Sequence, residues 1–525
     1  MMLLRNITIP IEQNQDIEKE ICRKLKLRGN ELVSWRVIRK SLDARKRDHL
    51  VWQYNALIEI SGNYPVNPDL LDYKEKLPYI KPGIILHDNQ PVIVGAGPAG
   101  LFAALALVEK GYKPLLFDQG EPITERDKKV KLFWQKGILD SESNIQNGEG
   151  GAGTYSDGKL TSRKQDYYTI SVYKYLVKFG ADPDILINAH PHLGTDKLKK
   201  IITSIREYLE QNGCRFFWKH KLENITVNDG KVTEIRINGE ILSPEILIIA
   251  PGNSARDLFK MLSGIVPLQN KQLAVGFRIE HEREFIDTLF YGDKTDLSLT
   301  GSGEYRIKVK LKEGSVYSFC MCPGGIVVNA SSNSEGVVTN GMSWSKRKGK
   351  YSNAAIVTSI DEASLNTHAL AGVQFQEMIE QKCFQYSNNY VAPAQKVEDF
   401  INNKFSKKTL KTTFLPGVIS ADLNNIYNPS ITMKIKQALL YWDKRYKGFA
   451  SEGTLIAPET RTSSPVRIIR DTDYWHSTGA ENLYPIGEGA GYSGGIISSA
   501  AEGIKLCAKF KYFQSSKICI VENNR

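Results

Sequence analysis

Residues 95–100 read Gly-Ala-Gly-Pro-Ala-Gly, set between an apolar Val-Ile-Val and the run Leu-Phe-Ala-Ala-Leu-Ala-Leu-Val-Glu-Lys-Gly. No other segment restricts the fold so tightly. A strand that ends in this turn and passes straight into a helix is the opening βαβ unit of a dinucleotide-binding sheet. Gly95 permits the tight turn, Gly97 lets the backbone approach a pyrophosphate, and Gly100 lets the helix pack closely on the strand. Pro98 and Ala99 complete the turn where the helix opens, and its free N–H groups and positive dipole end face the phosphates. Asp118 ends the next strand, Pro-Leu-Leu-Phe-Asp, 18 residues beyond Gly100. A carboxylate there accepts hydrogen bonds from ribose hydroxyls. A purely structural glycine turn would need neither the flanking strand and helix nor the acid.

Residues 482–508 carry a second turn of related grammar, Asn-Leu-Tyr-Pro-Ile-Gly-Glu-Gly-Ala-Gly-Tyr-Ser-Gly-Gly-Ile, followed by a helix of small residues. After a short strand, Gly487 makes the turn and Glu488 is placed to accept from a ribityl or phosphate-side hydroxyl. Gly494 and Gly495 bring the next helix, which begins at Ile496, close to a flavin ring. A positive dipole end there favours the negative charge that reduced flavin gathers at N1 and the C2 carbonyl. Together the two turns point to FAD rather than NAD as the bound dinucleotide. A second GxGxxG unit with its own strand and acidic partner, and a CxxC, are both missing from the sequence, which disfavours the disulfide reductases with two nucleotide domains. NAD(P)H as a transient electron donor, visiting the substrate cleft, stays compatible with the sequence.

At 525 residues the chain suits two or three domains. The expected fold class is α/β: a Rossmann-like FAD-binding domain with a parallel sheet and a three-strand meander, an inserted mixed α+β substrate domain, and a small N-terminal α+β domain. The meander is read at Leu222–Val227, Val232–Ile237 and Glu240–Leu242, with Asp229–Gly230 and Asn238–Gly239 as hairpin turns. The expected boundaries are 1–62 for the N-terminal domain and 63–90 for a linker with closely spaced prolines. FAD-binding sequence follows at 91–265, the inserted domain at 266–449, and the returning FAD-binding sequence at 450–525. Within the insert, strands are read at Leu273–Ile279, Tyr305–Val309 and Ser315–Cys320, and helices near 365–383 and 431–442.

The net charge of +11 leans toward anionic partners, although short runs such as Arg36–Arg47, Lys346–Lys350 and Lys404–Lys411 are more often solvated faces. Seven cysteines without a zinc-type His/Cys spacing give no metal site and suit reduced thiols in a cytoplasm. The N-terminus lacks a signal-type apolar core, and glycines and a proline break the run Val92–Val108. The expected location is therefore cytoplasmic, with no membrane span; nothing in the sequence fixes an oligomeric state.

The paired turns, the meander and the strand ending in Ala250-Pro251-Gly252 resemble the FAD-binding superfamily typified by glutathione reductase. Longer stretches at 147–163, 190–198, 319–328, 337–344, 459–471 and 484–496 resemble one bacterial family within it, the FAD-dependent dehydrogenases or FAD-dependent proteins. The resemblance covers nearly the whole chain. It implies an FAD-binding fold with Gly252 at the cofactor. It also implies that the loop with Gly150, Gly151, Ser156, Asp157 and Gly158 lies over the pyrophosphate and flavin, with Lys159 near the ring. A surface loop competes for that stretch. Arg461, in Glu-Thr-Arg-Thr-Ser-Ser-Pro-Val-Arg, offers a guanidinium to an anionic substrate or the flavin edge, against a structural ion pair. Lys159 and Arg461 are the catalytic candidates.

His192 reads better as a satisfied structural histidine than as a proton donor. Cys320 and Cys322, spaced to share one strand face, read better as reduced structural thiols than as a disulfide closing a small strained ring. The expected function is FAD-dependent oxidoreduction of a small-molecule substrate. A flavoprotein acting on RNA through the basic N-terminal unit, and a non-catalytic FAD-binding protein, are the alternatives.

Overall fold

The computed structural model describes residues 1–47, 49–74, 83–162, 166–360, 365, 368–407 and 409–513. Pro78, Pro82, Arg163, Lys408 and residues 366, 367 and 514–525, all touched by the expectations above, lie outside the described residues.

Three units follow from three hydrophobic patterns. Near the N-terminus, Met2–Pro10, Leu32–Asp43 and Val51–Ile60 form an antiparallel sheet. The helix Ile17–Leu25 packs Ile21 and Leu25 into its core beside Leu4 and Ile7. Asp16 caps that helix by accepting from the Lys19 N–H at 3.0 Å. One expectation is corrected here. The segment read as an irregular linker contributes a fourth strand, Leu70–Asp72, which pairs antiparallel with Met2–Leu4. Prolines at 65 and 68 precede it and leave its ladder donors intact, and an edge strand needs only one partner.

The nucleotide unit is a five-stranded parallel sheet in the order Leu483–Pro485, Leu247–Ile249, Val92–Val94, Leu115–Asp118, Arg215–Trp218. Val92–Val94 therefore lies where the order reverses, and its carboxyl end opens the crevice in which such sheets bind ligands. The meander, Leu222–Asn228, Lys231–Ile237 and Glu240–Leu242, forms a separate antiparallel sheet of three strands.

The helix Pro98–Val108 is apolar on every side because it is covered on every side, with residues 99–107 all buried. It packs on the helix Ile496–Cys507 through Gly503, where a Cβ would stand 2.3 Å from the Ala99 carbonyl oxygen and 2.8 Å from the Ala103 nitrogen. In an isolated helix, glycine to alanine gains about 1 kcal/mol. Here the obstructing atoms are backbone, so Gly503→Ala instead loses about 1–3 kcal/mol. A shift of the urea midpoint to lower concentration checks this; a midpoint at or above the parent's refutes the close crossing.

The inserted unit is built on a seven-stranded sheet ordered Lys308–Leu311, Gly314–Cys322, Tyr351–Ile360, Leu273–Glu282, Thr454–Glu459, Ala392–Lys396, Val418–Ser420. Its helices include Ala371–Phe384 and Pro429–Arg445. Two sequence readings shift. The strand placed at 305–309 runs over Lys308–Leu311, and the helix placed at 365 starts at Ala371. The strand Thr454–Glu459, on the returning stretch of chain, pairs with Leu273–Glu282 in this sheet and not in the parallel one. Its six residues are buried throughout, so it is a central strand with sheet on both sides.

Candidate active site

A single cavity of about 1600 Å³ is lined by both glycine turns. From the first come Gly95, Gly97, Pro98, Ala99 and Asp118. The loop after it supplies Gly151, Ser156, Asp157, Gly158 and Lys159, and Gly252 comes from the strand end. Gly487, Glu488, Gly494, Gly495, Ile496 and Arg461 come from the far end of the chain. Gly100 and Gly150 stand behind the wall. A Cβ at Gly100 would lie 1.9 Å from the Gly95 carbonyl oxygen, and one at Gly150 would lie 2.2 Å from the Thr154 hydroxyl. These two glycines shape the loops from inside.

The glycines that face the cavity behave differently. A Cβ at Gly252 or Gly494 would meet no protein atom within 4 Å, and one at Gly97 would only touch the Gly151 Cα at 4.0 Å. None of the three has a left-handed φ. Neither backbone conformation nor packing within the chain calls for glycine there, so the missing side chains leave room for something that approaches the main chain.

Asp118 is buried and accepts from the Ala96 N–H at 2.7 Å and the Gly120 N–H at 2.8 Å. Burial pushes its carboxyl up, and these backbone donors oppose the rise. Arg126, fully buried, holds the following loop. It donates to the carbonyls of Asn144, Ile145, Glu149 and Gly151 at 2.5–2.9 Å. Burial pulls this guanidinium's pKa down, yet its donors are taken up by carbonyl oxygens, as a buried charge requires. Sequence reasoning missed Arg126 because it sits in an ordinary polar run, Glu-Arg-Asp-Lys-Lys. The second turn is set by Glu502, also missed, which accepts from the Gly487 N–H at 3.0 Å and from the Ser493 hydroxyl, and pairs with Arg470. Its one sequence signal is an acid in the middle of a helix whose other residues, apart from Lys505, are small or apolar. Glu488 accepts from Asn253 Nδ2 at 2.8 Å, and burial raises its pKa.

Beyond the glycine turns the wall is charged. Lys159 pairs with Glu304, and Arg347 pairs with Asp157. Burial would raise Glu304, but Lys159 and Arg347 outweigh it and hold the carboxyl down at about 2. Asp157 accepts from Arg347 Nε at 3.0 Å and from the Ser343 hydroxyl, and it too is held low against burial, chiefly by Arg347. Arg461 donates through Nε and Nη2 to Glu380 at 3.1 and 2.8 Å, and through Nη1 and Nη2 to Ser332 and Asn333 at 2.6 and 3.1 Å. Four of its contacts are thus intramolecular, as the ion-pair reading has it, although the residue reaches the cavity wall. His192 contacts the Ser345 carbonyl at 3.2 Å, and burial lowers its pKa.

Cys320 is on the cavity wall and Cys322 is buried behind it, both as free thiols. They do not sit on a regular strand. The pairing of Gly314–Cys322 with Tyr351–Ile360 shifts between Phe319 and Cys322, and Cys320 has φ +45°. No helix among the described residues is long and apolar enough to cross a membrane.

The chain's similarities are consistent along its length. Residues 272–462 match the family described as FAD-dependent protein, C-terminal domain-like. Residues 93–128 match an NAD(P)-binding Rossmann-like domain, and residues 1–59 a domain of unknown function. A Clostridium beijerinckii protein, described as uncharacterized, is 37% identical over 519 residues, 96% of this chain and 97% of that one. Similar solved structures include a geranylgeranyl bacteriochlorophyll reductase-like protein from Thermoplasma acidophilum (11% identical, 80% of this chain and 77% of that one, TM-score 0.35). An L-amino acid deaminase from Proteus vulgaris is 11% identical over 82% of this chain and 92% of that one, with a TM-score of 0.33. With a relative this similar over almost the whole of both chains, and with that C-terminal domain in place, the chain belongs to the FAD-dependent protein family, and its cofactor is FAD.

Proposed function

We propose that the protein is an FAD-dependent oxidoreductase that passes hydride or electrons between flavin N5 and a small anionic substrate bound in the same cavity. The observation that carries this reading is the set of cavity-facing glycines, Gly97, Gly252 and Gly494, whose missing side chains no protein atom replaces. In this reading Gly95, Gly97, Pro98 and Ala99 hold the pyrophosphate and Asp118 the adenosine ribose. Glu488, Gly494, Gly495 and Ile496 take the ribityl and flavin end. Gly151, Ser156, Asp157 and Gly158 close over the middle, and the parallel sheet with its meander favours a place in the glutathione-reductase-like superfamily. When bound, FAD supplies reversible two-electron chemistry.

The chain's own contribution is position and charge. The helix from Ile496 would direct its N-terminal N–H groups and positive dipole end toward negative charge on a bound flavin. The wall carries both signs of charge, and among its cations Lys159, Arg306 and Arg39 would meet an anionic group of a substrate. Lys159 is the better catalytic candidate of the two, since it has one carboxylate partner, Glu304, whereas Arg461 spends its donors on Glu380, Ser332 and Asn333. A volume near 1600 Å³ exceeds the roughly 300–1,000 Å³ of an ordinary ligand pocket, so a dinucleotide and a second molecule both fit. The basic N-terminal residues favour this reading over RNA. Arg45 pairs with Asp43, Arg47 donates to the Thr288 carbonyl at 3.2 Å, and Lys40 stacks over Trp52.

The purified protein is expected to show the visible bands of oxidised flavin and to bleach anaerobically with NADH or NADPH. Flavin that is bound but resists every small donor would favour a structural or sensing cofactor instead. A protein that stays colourless after incubation with excess FAD rejects the assignment.

A further inference from the structure

The strand Gly314–Cys322 ends in an irregularity at its two cysteines. A regular strand would carry Cys320 and Cys322 on one face a full pleat repeat apart. Here the ladder shifts after Phe319 and Cys320 has left-handed backbone, so the regular spacing is lost. The Cys322 thiol also donates to the Cys320 carbonyl at 3.4 Å. A non-glycine residue at positive φ costs about 1–3 kcal/mol and persists only where the surroundings enforce it.

Those surroundings are built around one guanidinium. Arg278, fully buried, donates through Nη2 to the Cys320 carbonyl at 2.9 Å and lies 3.6 Å from the Cys322 sulfur. Its Nε bonds Asn353 at 2.9 Å, and its Nη1 meets Glu459 at 3.3 Å. Gly341 makes room for it: a Cβ at 341 would stand 1.7 Å from Arg278 Nη2. The result is an asymmetric pair. The hydrogen bond from Cys322, with Arg278 and Lys159 nearby, lowers the Cys320 thiol's pKa against the effect of burial. The same hydrogen bond and burial push the Cys322 thiol up. A thiolate is the reactive form, and Cys320 is the member of the pair on the cavity wall, with Cys322 buried behind it.

We propose that Cys320 and Cys322 are a redox-active dithiol that exchanges two electrons with the flavin of the same cavity, Cys320 being the nucleophilic sulfur and Cys322 its partner. The proposal rests on the FAD-dependent reading above. In the oxidising direction both S–H bonds break and one S–S bond forms, and two electrons and two protons pass to FAD, giving FADH2 and the Cys320–Cys322 disulfide. In the reducing direction FADH2 returns them and the S–S bond breaks. A ring closed over one intervening residue is strained and easily reduced. The favoured flow is therefore from reduced flavin to the disulfide.

Anaerobic dithionite titration of the FAD-bound protein, after mild oxidation with diamide, tests this. The parent should consume about four electrons per FAD, and Cys320→Ser and Cys322→Ser about two each, because a dithiol–disulfide couple takes two. Intact-protein mass spectrometry on the parent requires no variant to fold. Oxidation should remove about 2 Da and reduced flavin should restore it, with Cys320 and Cys322 protected from alkylation in the oxidised form. A yellow protein that takes about two electrons per FAD, with both thiols still open to alkylation after diamide, overturns the dithiol and leaves the flavin assignment standing. A disulfide that forms but is untouched by reduced flavin overturns the exchange. A preparation that cannot bind FAD removes both readings.

Discussion

The Gly494→Val protein is expected to unfold at the same urea concentration as the parent and to bind FAD about 5- to 150-fold more weakly. The first half follows from geometry: a Cβ at 494 meets no protein atom within 4 Å, the position is exposed, and its φ is not left-handed. Exposed substitutions of that kind stay within about 0.5 kcal/mol. The second half follows if the open space belongs to the cofactor, because forcing methyl groups into an occupied, close-packed contact costs about 1–3 kcal/mol, and 1.4 kcal/mol is about tenfold in affinity. Fluorescence titration of the stripped protein with FAD gives the dissociation constant, and chemical denaturation of the same preparation gives the stability. Parent-like affinity would place the flavin elsewhere. A large loss of stability would make the glycine structural.

Replacing Glu380 by glutamine should destabilise the protein by about 3–5 kcal/mol, the cost of leaving buried charges without their partner. Glu380, on the helix Ala371–Phe384, accepts from Arg256 through both oxygens at 2.8 Å. It also accepts from Arg461 and, at 2.7 Å, from the Thr460 hydroxyl. Arg256 belongs to a helix beside the meander, so this buried cluster fastens the inserted unit to the nucleotide unit at the cavity edge. Arg461→Met should cost less, since Glu380 keeps Arg256. The same group sets an acid limit. Burial would raise its pKa, but Arg256 and Arg461 outweigh it and bring the folded value down to about 2. The contribution is therefore complete above the unfolded value near 4.3 and is lost as pH falls toward about 2. The shift corresponds to about 3 kcal/mol. Thermal unfolding of parent and Glu380→Gln between pH 7 and pH 3 checks the sign: their midpoints should converge on acidification. A constant gap would show that the Glu380 pKa does not differ between the folded and unfolded states.

The nucleotide turns were legible because local chemistry dictates them. Gly95, Gly97 and Gly100 satisfy backbone demands imposed within a few residues, and Asp118 is fixed by the length of one helix and one strand. The meander was legible for the same reason, since Asp229–Gly230 and Asn238–Gly239 leave the chain little alternative to hairpins. The short strand Leu70–Asp72 was not. Three residues among prolines carry no periodicity, and only pairing with Met2–Leu4 gives them a conformation.

For the charged wall, the sequence supplied the residue types but not the partners. Nothing near Lys159 announces Glu304, 145 positions away, and nothing near Arg461 announces Glu380 or Arg256. Arg126, Arg278 and Glu502 went unnoticed because a buried charge is identified by what surrounds it, and strands and helices from distant parts of the chain supply those surroundings. The cysteine pair shows the division most clearly. Its spacing is written in the sequence, while the bulge, the left-handed turn at Cys320 and the guanidinium beneath it exist only once Gly314–Cys322, Leu273–Glu282 and Tyr351–Ile360 share a sheet. By itself the sequence determined where the backbone turns tightly and where a dinucleotide can be held, since those demands act over a few bonds. Which charges neutralise one another, and which thiol faces the cavity, was decided by tertiary structure, because Coulomb and desolvation energies depend on distance through space and not along the chain.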